Sequence, residues 1–544
     1  MRAAILDGYV DEPSCLGVPP YLAPYPRYVY GMLKSLKVQP EYLTIDQLRE
    51  DPRIRSKLKG YDILIIIGGI AVPGKYIGGN PLEKNEIFSL NLAKKNILAG
   101  PLVVELTKKE LELLKDVNIQ PLNFPFEKEL FDLLCRILNC KANFDVDKFS
   151  YLGAEVVKQH PDFPNVICEI ETYRGCYWGR CSFCIERFQG FWMRDAENVV
   201  KEISLLYENG VRYFRLGRQT DFYTYLADFS KEVPKPNPES IKNFHRAIWE
   251  KCPKIKTLHL DNVNPKTIAE YPEEAQEITK TIVLYQTPGN VAAMGLESAD
   301  EKVIEKNSLC ADVEDVLKAI ELINRYGAGT GYNGLPYFLP GINFVIGLRG
   351  ESKETFEKNI EFLRYLMEKN LLVRRINLRQ VKIFPNTPME KVGYSILKKH
   401  KKYFKYFKKV VREEIDHEML KKVVPKNRKL TDLRVEISGE ISYARQLATY
   451  PLLVGIIGKY EKNSFIDARV VDYGYRSLTA VKIPLDPNKA TFEELRAIFG
   501  EKAKEILLNR PYRDLGSIKE IVGNEAEQFF EHSSEYDSNV NKKN

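Results

Sequence analysis

The segment Cys176-Tyr177-Trp178-Gly179-Arg180-Cys181-Ser182-Phe183-Cys184 constrains this chain most, because it places three thiols within nine residues. Side chains so close in sequence can meet on one object only if the backbone between them curls, and Gly175 and Gly179 permit such curling. The expectation is a loop wrapped round an inorganic centre. A cuboidal 4Fe-4S cluster normally takes four thiolates, so three leave one iron with a vacant position. Structural zinc is instead closed by four ligands. Cys168 or a distant histidine could complete a zinc site, and both readings stand at this point. The chain has a single Cys-x-x-Cys, so a paired zinc ribbon has no second half.

A chain of 544 residues exceeds one ordinary core and predicts three or four domains. With 44% hydrophobic and 28% charged residues it reads as globular with a charged surface. No apolar run is long enough to cross a bilayer, and Met1 to Gly8 reads as a first strand, so the expected location is the cytoplasm, with no membrane partner. Nine cysteines, scattered apart from the three, do not make a disulfide framework. Cys15, Cys135, Cys140, Cys252 and Cys310 read as buried small hydrophobes. A net charge of +7 over this length barely argues for nucleic acid.

The predicted class is α/β and multidomain. Residues 1–140 alternate strand-like and helix-like segments, including Ile63 to Ile67 ending in Gly68-Gly69, and predict a Rossmann-like parallel sheet. A ligand pocket at that glycine pair and the Gly/Pro-rich stretch to Pro81 is one reading, and a plain turn is the other. From Val166 a second rhythm begins. Six apolar runs (Val166 to Ile170, Val211 to Leu216, Ile255 to Leu260, Val291 to Leu296, Ile342 to Leu348, Ile376 to Phe384) alternate with helical segments, predicting a full or partial β/α TIM-type barrel over 165–395. The cysteine loop follows its first strand, at the end where barrels place chemistry. Other strand ends carry polar residues and glycines: Gly217-Arg218-Gln219-Thr220-Asp221, Asp261-Asn262, Gly295-Leu296-Glu297-Ser298 and Gly347-Leu348-Arg349-Gly350-Glu351.

These features together resemble the radical S-adenosylmethionine (radical SAM) superfamily. Its usual cysteine spacing is three residues then two, whereas four separate Cys176 from Cys181 here. The resemblance implies Cys176, Cys181 and Cys184 as ligands of a 4Fe-4S cluster and S-adenosylmethionine (SAM) on the remaining iron. Phe183 would lie close to the adenine. Gly217, Arg218 and Gln219 would contact the methionyl amino group, although this element departs from the commoner Gly-Gly-Glu. Glu297 and Ser298 would contact the ribose, and Val345, Gly347 and Gly350 the adenine side. Phe384 to Pro388 resembles the family's closing strand and turn. Asp221 and Glu297 are candidate carboxylates for proton handling, and an electron donor such as ferredoxin or flavodoxin is implied. The N-terminal domain is similar to cobalamin-binding domains that precede such cores. The first histidine in the chain is His160, so cobalamin would bind without the ligand histidine those domains often carry.

Residues 396–427 read as a basic helical linker, with lysines interleaved among aromatics from Leu397 to Lys409. Two readings fit: RNA contact, and, favoured, a helix whose aromatics pack inward. Residues 428–486 predict a small β-barrel resembling TRAM and oligonucleotide-binding barrels, with Arg469, Tyr473, Tyr475 and Arg476 as nucleic-acid contacts. Residues 489–524, opened by the capping-box pair Thr491 and Glu494, resemble a helix-hairpin-helix module. The tail 525–544 is expected to be disordered. These modules favour RNA, tRNA in particular, as substrate. A small metabolite or protein side chain is the second reading, and a nucleic-acid-binding protein with a structural metal the third.

Overall fold

The computed structural model describes residues 1–9, 21–70 and 77–530. Cys15, the Val18 to Pro20 part of the Pro-rich entry, residues 71–76 of the Gly/Pro-rich stretch and the tail beyond 530 lie outside the described residues. The chain divides into two compact units. The first comprises Met1–Ala328, Tyr337–Lys408 and the triplet Ala448–Tyr450, and the second Gly329–Pro336, Lys409–Leu447 and the described part of Pro451–Asn544. Among the described residues no helix is long and apolar enough to cross a membrane.

In the first unit, β1 (Ala3–Asp7), β3 (Pro40–Thr44), β4 (Ile63–Ile67), β5 (Lys95–Ala99) and β6 (Ile119–Pro121) form a parallel sheet ordered β3-β1-β4-β5-β6. The two-residue β2 (Tyr21–Leu22) joins the next sheet instead. The all-apolar, fully buried β4 is what a strand covered on both faces requires. The order reverses between β1 and β4, the point where doubly wound sheets bind ligands. Gly68 lies there, and its neighbour Gly100 (φ 98°) packs so closely that a Cβ would meet the Gly68 oxygen at 2.5 Å. This pair therefore has a packing reason for being glycine.

The second layer is built from β7 (Ile167–Glu171), β10 (Tyr213–Gly217) and β11 (Thr257–Leu260), ordered β11-β10-β7-β2. Three more strands, β12 (Asn290–Glu297), β13 (Phe338–Ile346) and β14 (Arg375–Gln380), form a further parallel sheet. Among the described residues a single bridge, Asn262 to Ala293, links the two. All six expected strands form; among the described residues no ladder joins β14 back to β2, so a closed barrel is not shown. β14 ends at Gln380, so Phe384 to Pro388 is turn rather than closing strand.

The inward positions of this array are charged. Arg215 pairs with Asp261 at 2.7 Å and lies 3.6 Å from Glu169. The Tyr450 hydroxyl donates to Asp261 at 2.6 Å, and the Arg375 guanidinium lies 4.4 Å from the Tyr450 ring centre. Ordinary barrels fill this space with branched apolar layers. A paired ionic lining fixes register more than it stabilises, because desolvation offsets much of the attraction.

The helix Ser395–Val410 carries the basic-aromatic stretch. Phe407 is buried against Phe344 and Phe356, and His400 and Tyr403 lie against Phe356, while Tyr406 is 58% exposed. Phe407, His400 and Tyr403 thus pack inward, as the favoured reading expects, and Tyr406 does not.

In the second unit, β15 (Lys429–Ile437), β16 (Ile441–Arg445), β17 (Leu453–Ile457), β18 (Phe465–Tyr473) and β19 (Ser477–Ile483) close into a barrel ordered β15-β16-β17-β19-β18. Only β17 and β19 run parallel. The expected hairpin is three helices, Phe492–Phe499, Lys502–Leu508 and Gly516–Val522, whose Leu495, Ile506 and Ile518 share a core with Val471 and Val481 of the barrel. Thr491 caps the first helix as expected. The amides at its end bond within the helices, with Gly500 donating to the Arg496 carbonyl and Ala503 to Gly500. Residues 525–530, expected to belong to a disordered tail, are instead ordered, with Phe529 and Phe530 buried in the same core.

Candidate functional site

The cysteine loop is a hairpin insertion whose base is β8 (Tyr173–Arg174) paired antiparallel with β9 (Trp192–Met193). Gly175 (φ 88°) sits where the two arms touch, and a Cβ there would lie 2.3 Å from the Gly190 oxygen. The base is bolted to the scaffold by buried ion pairs. Arg174 forks onto Glu171 with two bonds of 2.8 Å and reaches Glu127 at 2.8 Å. Arg194 pairs with Glu202, which also receives Arg27 at 2.7 Å. Forked guanidinium-carboxylate pairs fix orientation as well as distance.

Within the loop, backbone amides lie near the sulfurs and favour their thiolate forms: Gly179 and Trp178 at Cys176, Glu186 at Cys184 and Cys310 at Cys181. Donors of this kind stabilise and tune thiolates on a cluster. The Thr220 hydroxyl donates to the Gly175 carbonyl at 3.1 Å. Without a metal, burial pushes the Cys181 thiol up to about 12 and the Cys184 thiol well above its ordinary value. Among the described residues no group of three His, Cys, Asp or Glu side chains is placed to hold a metal ion. Three thiols on one loop are nonetheless the kind of donor set that holds an iron-sulfur cluster.

Cys168 cannot complete a zinc site in the loop, because it is buried within β7 beside Arg27 and Glu202. The nearby fourth thiol is Cys310, which by sequence reads as a small hydrophobe. Its sulfur accepts from Asn264 Nδ2 at 3.2 Å and lies 3.6 Å from the Tyr177 hydroxyl. Cys140, also expected to be buried, is exposed.

The expected SAM-contacting residues gather round the loop unequally. Phe183 packs with Val345, Leu348, Val381 and Met389 in one apolar cluster that includes Cys181. Gly347 and Gly350 both have positive φ, and the Gly347 amide donates to Glu351 Oε2 at 2.6 Å. Glu351 in turn pairs with His400 at 2.9 Å. Glu297 takes a left-handed conformation (φ 63°) at a bulge in β12 and lies within electrostatic range of Cys181. The Ser298 hydroxyl oxygen accepts from the Asp300 amide at 3.1 Å. Gly217 closes over Glu169, whose carboxylate a Cβ would meet at 2.2 Å. Arg218, again left-handed (φ 66°), donates to Gln189 Oε1 at 2.9 Å and lies over Tyr25. Gln219 is fully buried, its amide spent on Leu216 and Thr172. Asp221 is likewise enclosed. It accepts from the Tyr223 and Asn264 amides, and burial raises its carboxyl to about 6.

Sequence reasoning missed Asn307. Its Oδ1 accepts from the Ser182 hydroxyl at 2.7 Å and from the Arg349 amide at 3.3 Å, and its Nδ2 donates to the Arg349 carbonyl at 2.8 Å. One buried amide thus ties the cysteine loop to the glycine-containing segment after β13. Its place just beyond the Glu297-Ser298 strand end was the available signal.

No protein-family model matches the sequence. An uncharacterized protein of Archaeoglobus fulgidus is 63% identical over 526 residues, spanning 97% of this chain and 98% of its own. A second uncharacterized protein, from Methanocaldococcus jannaschii, is 44% identical over 507 residues, spanning 88% and 92%. Among solved structures, the radical SAM methyltransferase TsrM from Kitasatospora setae, with tryptophan and a SAM analogue bound, superposes with a TM-score of 0.50 at 14% identity, covering 71% of this chain and 75% of that one. The cobalamin-dependent radical SAM enzyme OxsB gives 0.53 at 11% identity, covering 74% and 61%. The chain shares its fold with these two enzymes, and it belongs to the family of its Archaeoglobus and Methanocaldococcus relatives.

Proposed function

We propose that this protein is a radical SAM enzyme, with Cys176, Cys181 and Cys184 holding a 4Fe-4S cluster and SAM bound beside them. The carrying observation is one loop holding three thiols, set beside a packed apolar cluster and near carboxylates at the carboxyl ends of parallel strands. Cluster and SAM, when bound, supply reductive cleavage of the sulfonium bond to methionine and a 5'-deoxyadenosyl radical that takes hydrogen from substrate.

The chain's own residues bind and orient. Phe183, Val345 and Met389 offer an apolar wall for adenine, and Glu297 and Ser298 offer hydroxyl partners for ribose. Arg218 suits the methionyl carboxylate rather than the amino group, since a guanidinium only donates hydrogen bonds and carries like charge. The enclosed Gln219 and Asp221 serve the turn after β10, and Glu297 is the better placed of the two candidate carboxylates. Cobalamin, on which OxsB depends, would here sit at the β1/β4 reversal without an imidazole from residues 1–140.

For the substrate we infer RNA, supported by the C-terminal barrel. Ile441 and Tyr443 of β16 and Phe465 of β18 are exposed on it, as base-stacking surfaces are. The contacts expected from sequence fare less well. Arg469 bonds the Gln528 and Asn427 carbonyls, Tyr473 the Val424 carbonyl, and Arg476 pairs with Asp416, which leaves Tyr475 exposed. A small polar metabolite or side chain is the second reading, favoured by the ionic lining of Arg215, Asp261 and Arg375. The test of the enzyme is anaerobic reconstitution with iron and sulfide, reduction, and assay for 5'-deoxyadenosine. Iron retention with SAM cleavage is expected, and a protein that binds iron but never cleaves SAM overturns the reading.

A further inference from the structure

The segment from Asn307 to Cys310 is stitched to the cysteine loop along its length. Ser182 donates its amide to the Asn307 carbonyl at 3.0 Å and its hydroxyl to Asn307 Oδ1 at 2.7 Å. The Trp178 indole donates to the Ser308 carbonyl at 2.7 Å, and the Cys310 amide lies near the Cys181 sulfur. The Cys310 sulfur lies within electrostatic range of Cys176 and Cys181. Its other neighbours are the Asn264 amide at 3.2 Å and the Tyr177 hydroxyl at 3.6 Å, both able to donate to a thiolate. A thiol 126 positions beyond Cys184 has thus been brought into the same cradle as the three.

We propose that Cys310 is a fourth sulfur ligand of the cluster, held on the otherwise vacant iron until SAM arrives. The inference rests on the cluster reading of the three-cysteine loop and adds a gate to it. On SAM binding the iron–sulfur bond of Cys310 breaks and bonds form from iron to the SAM amino nitrogen and carboxylate oxygen. The Cys310 sulfur keeps its electron pair as a thiolate, received by the Asn264 N–H and the Tyr177 O–H, and no electron changes hands. The gate covers a reactive iron when there is no cofactor to use it. Its cost is weaker apparent SAM binding, because SAM must displace a ligand.

The experiment uses the full chain, reconstituted anaerobically, as wild type and as Cys310→Ala. Both are treated with ferricyanide, and the EPR signal of a three-iron cluster is quantified. A cluster with an unprotected iron loses it readily, so Cys310→Ala should give at least fivefold more three-iron signal than wild type, and should bind SAM more tightly. Equal yields and equal SAM affinity overturn the proposal. Cys176→Ala, Cys181→Ala and Cys184→Ala separate the two levels. If these lose iron while Cys310→Ala matches wild type, only the gate fails; if these keep full iron, the cluster reading fails and the gate with it. Should Cys310→Ala not fold, Mössbauer spectra of the wild type decide alone. Four sulfur-ligated irons, one of which changes on adding SAM, are expected, and a distinct iron without a fourth thiolate before SAM is added overturns the proposal.

Discussion

At the residue scale, Gly175 is where the cysteine loop is most exposed to a single change. A side chain there would carry a left-handed conformation costing about 1–2 kcal/mol and collide with the Gly190 carbonyl. Gly175→Ala should therefore lower iron bound per chain severalfold on reconstitution, with the melting temperature of the apo-protein changed by only a few degrees. Asn307→Ala strands the Ser182 hydroxyl and both Arg349 backbone groups. A loss of roughly 1–3 kcal/mol is expected in denaturant unfolding, together with weaker SAM binding. Two histidines set an acid limit. Burial lowers His245 and His259 to about 4, from an unfolded value near 6.5. The unfolded chain therefore takes up protons first, and stability falls as pH drops from about 6.5 to 4, by roughly 3 kcal/mol for each group at the lower end. Melting followed across that range should show the fall, and His245→Gln should flatten part of it.

At the scale of elements, much could be read from the chain directly. The strands Ile63–Ile67, Tyr213–Gly217 and Thr257–Leu260 lie where the apolar runs put them, since in these the pattern of burial and the pattern of sequence coincide. β16 is not legible as a strand in the sequence, because Ile441 and Tyr443 are exposed while Ser442 is buried, an inversion of the usual alternation. The third C-terminal helix, Gly516–Val522, is too short to show a period. Cys310 escaped for a different reason, because its role depends on which strand ends are neighbours, and order within a sheet is not written in local pattern. The basic helix offers a direct test of packing against charge. Phe407→Ala should cost about 3–5 kcal/mol, measured by denaturant unfolding, whereas Tyr406→Ala should cost almost nothing.

For the whole molecule, the deciding measurement is what the second unit brings to the chemistry. If its barrel holds RNA, the full chain should bind tRNA with an affinity that falls steeply with salt. Tyr443→Ala should weaken that binding severalfold without altering SAM cleavage in the absence of substrate. Fluorescence anisotropy at several salt concentrations measures the binding and 5'-deoxyadenosine release the cleavage, and affinity that is absent or insensitive to salt would favour the metabolite reading.

The triplet Ala448–Tyr450 carries a consequence for how such a chain can be made. Tyr450 caps Asp261 and covers Arg375 from a position that leaves the ribosome some seventy-five residues after β14 begins. Until it emerges, the charges along the interior have no stopper, so the nascent first unit must wait for its plug. Cutting the gene after residue 408 would yield not an independent domain but a vessel without its cork.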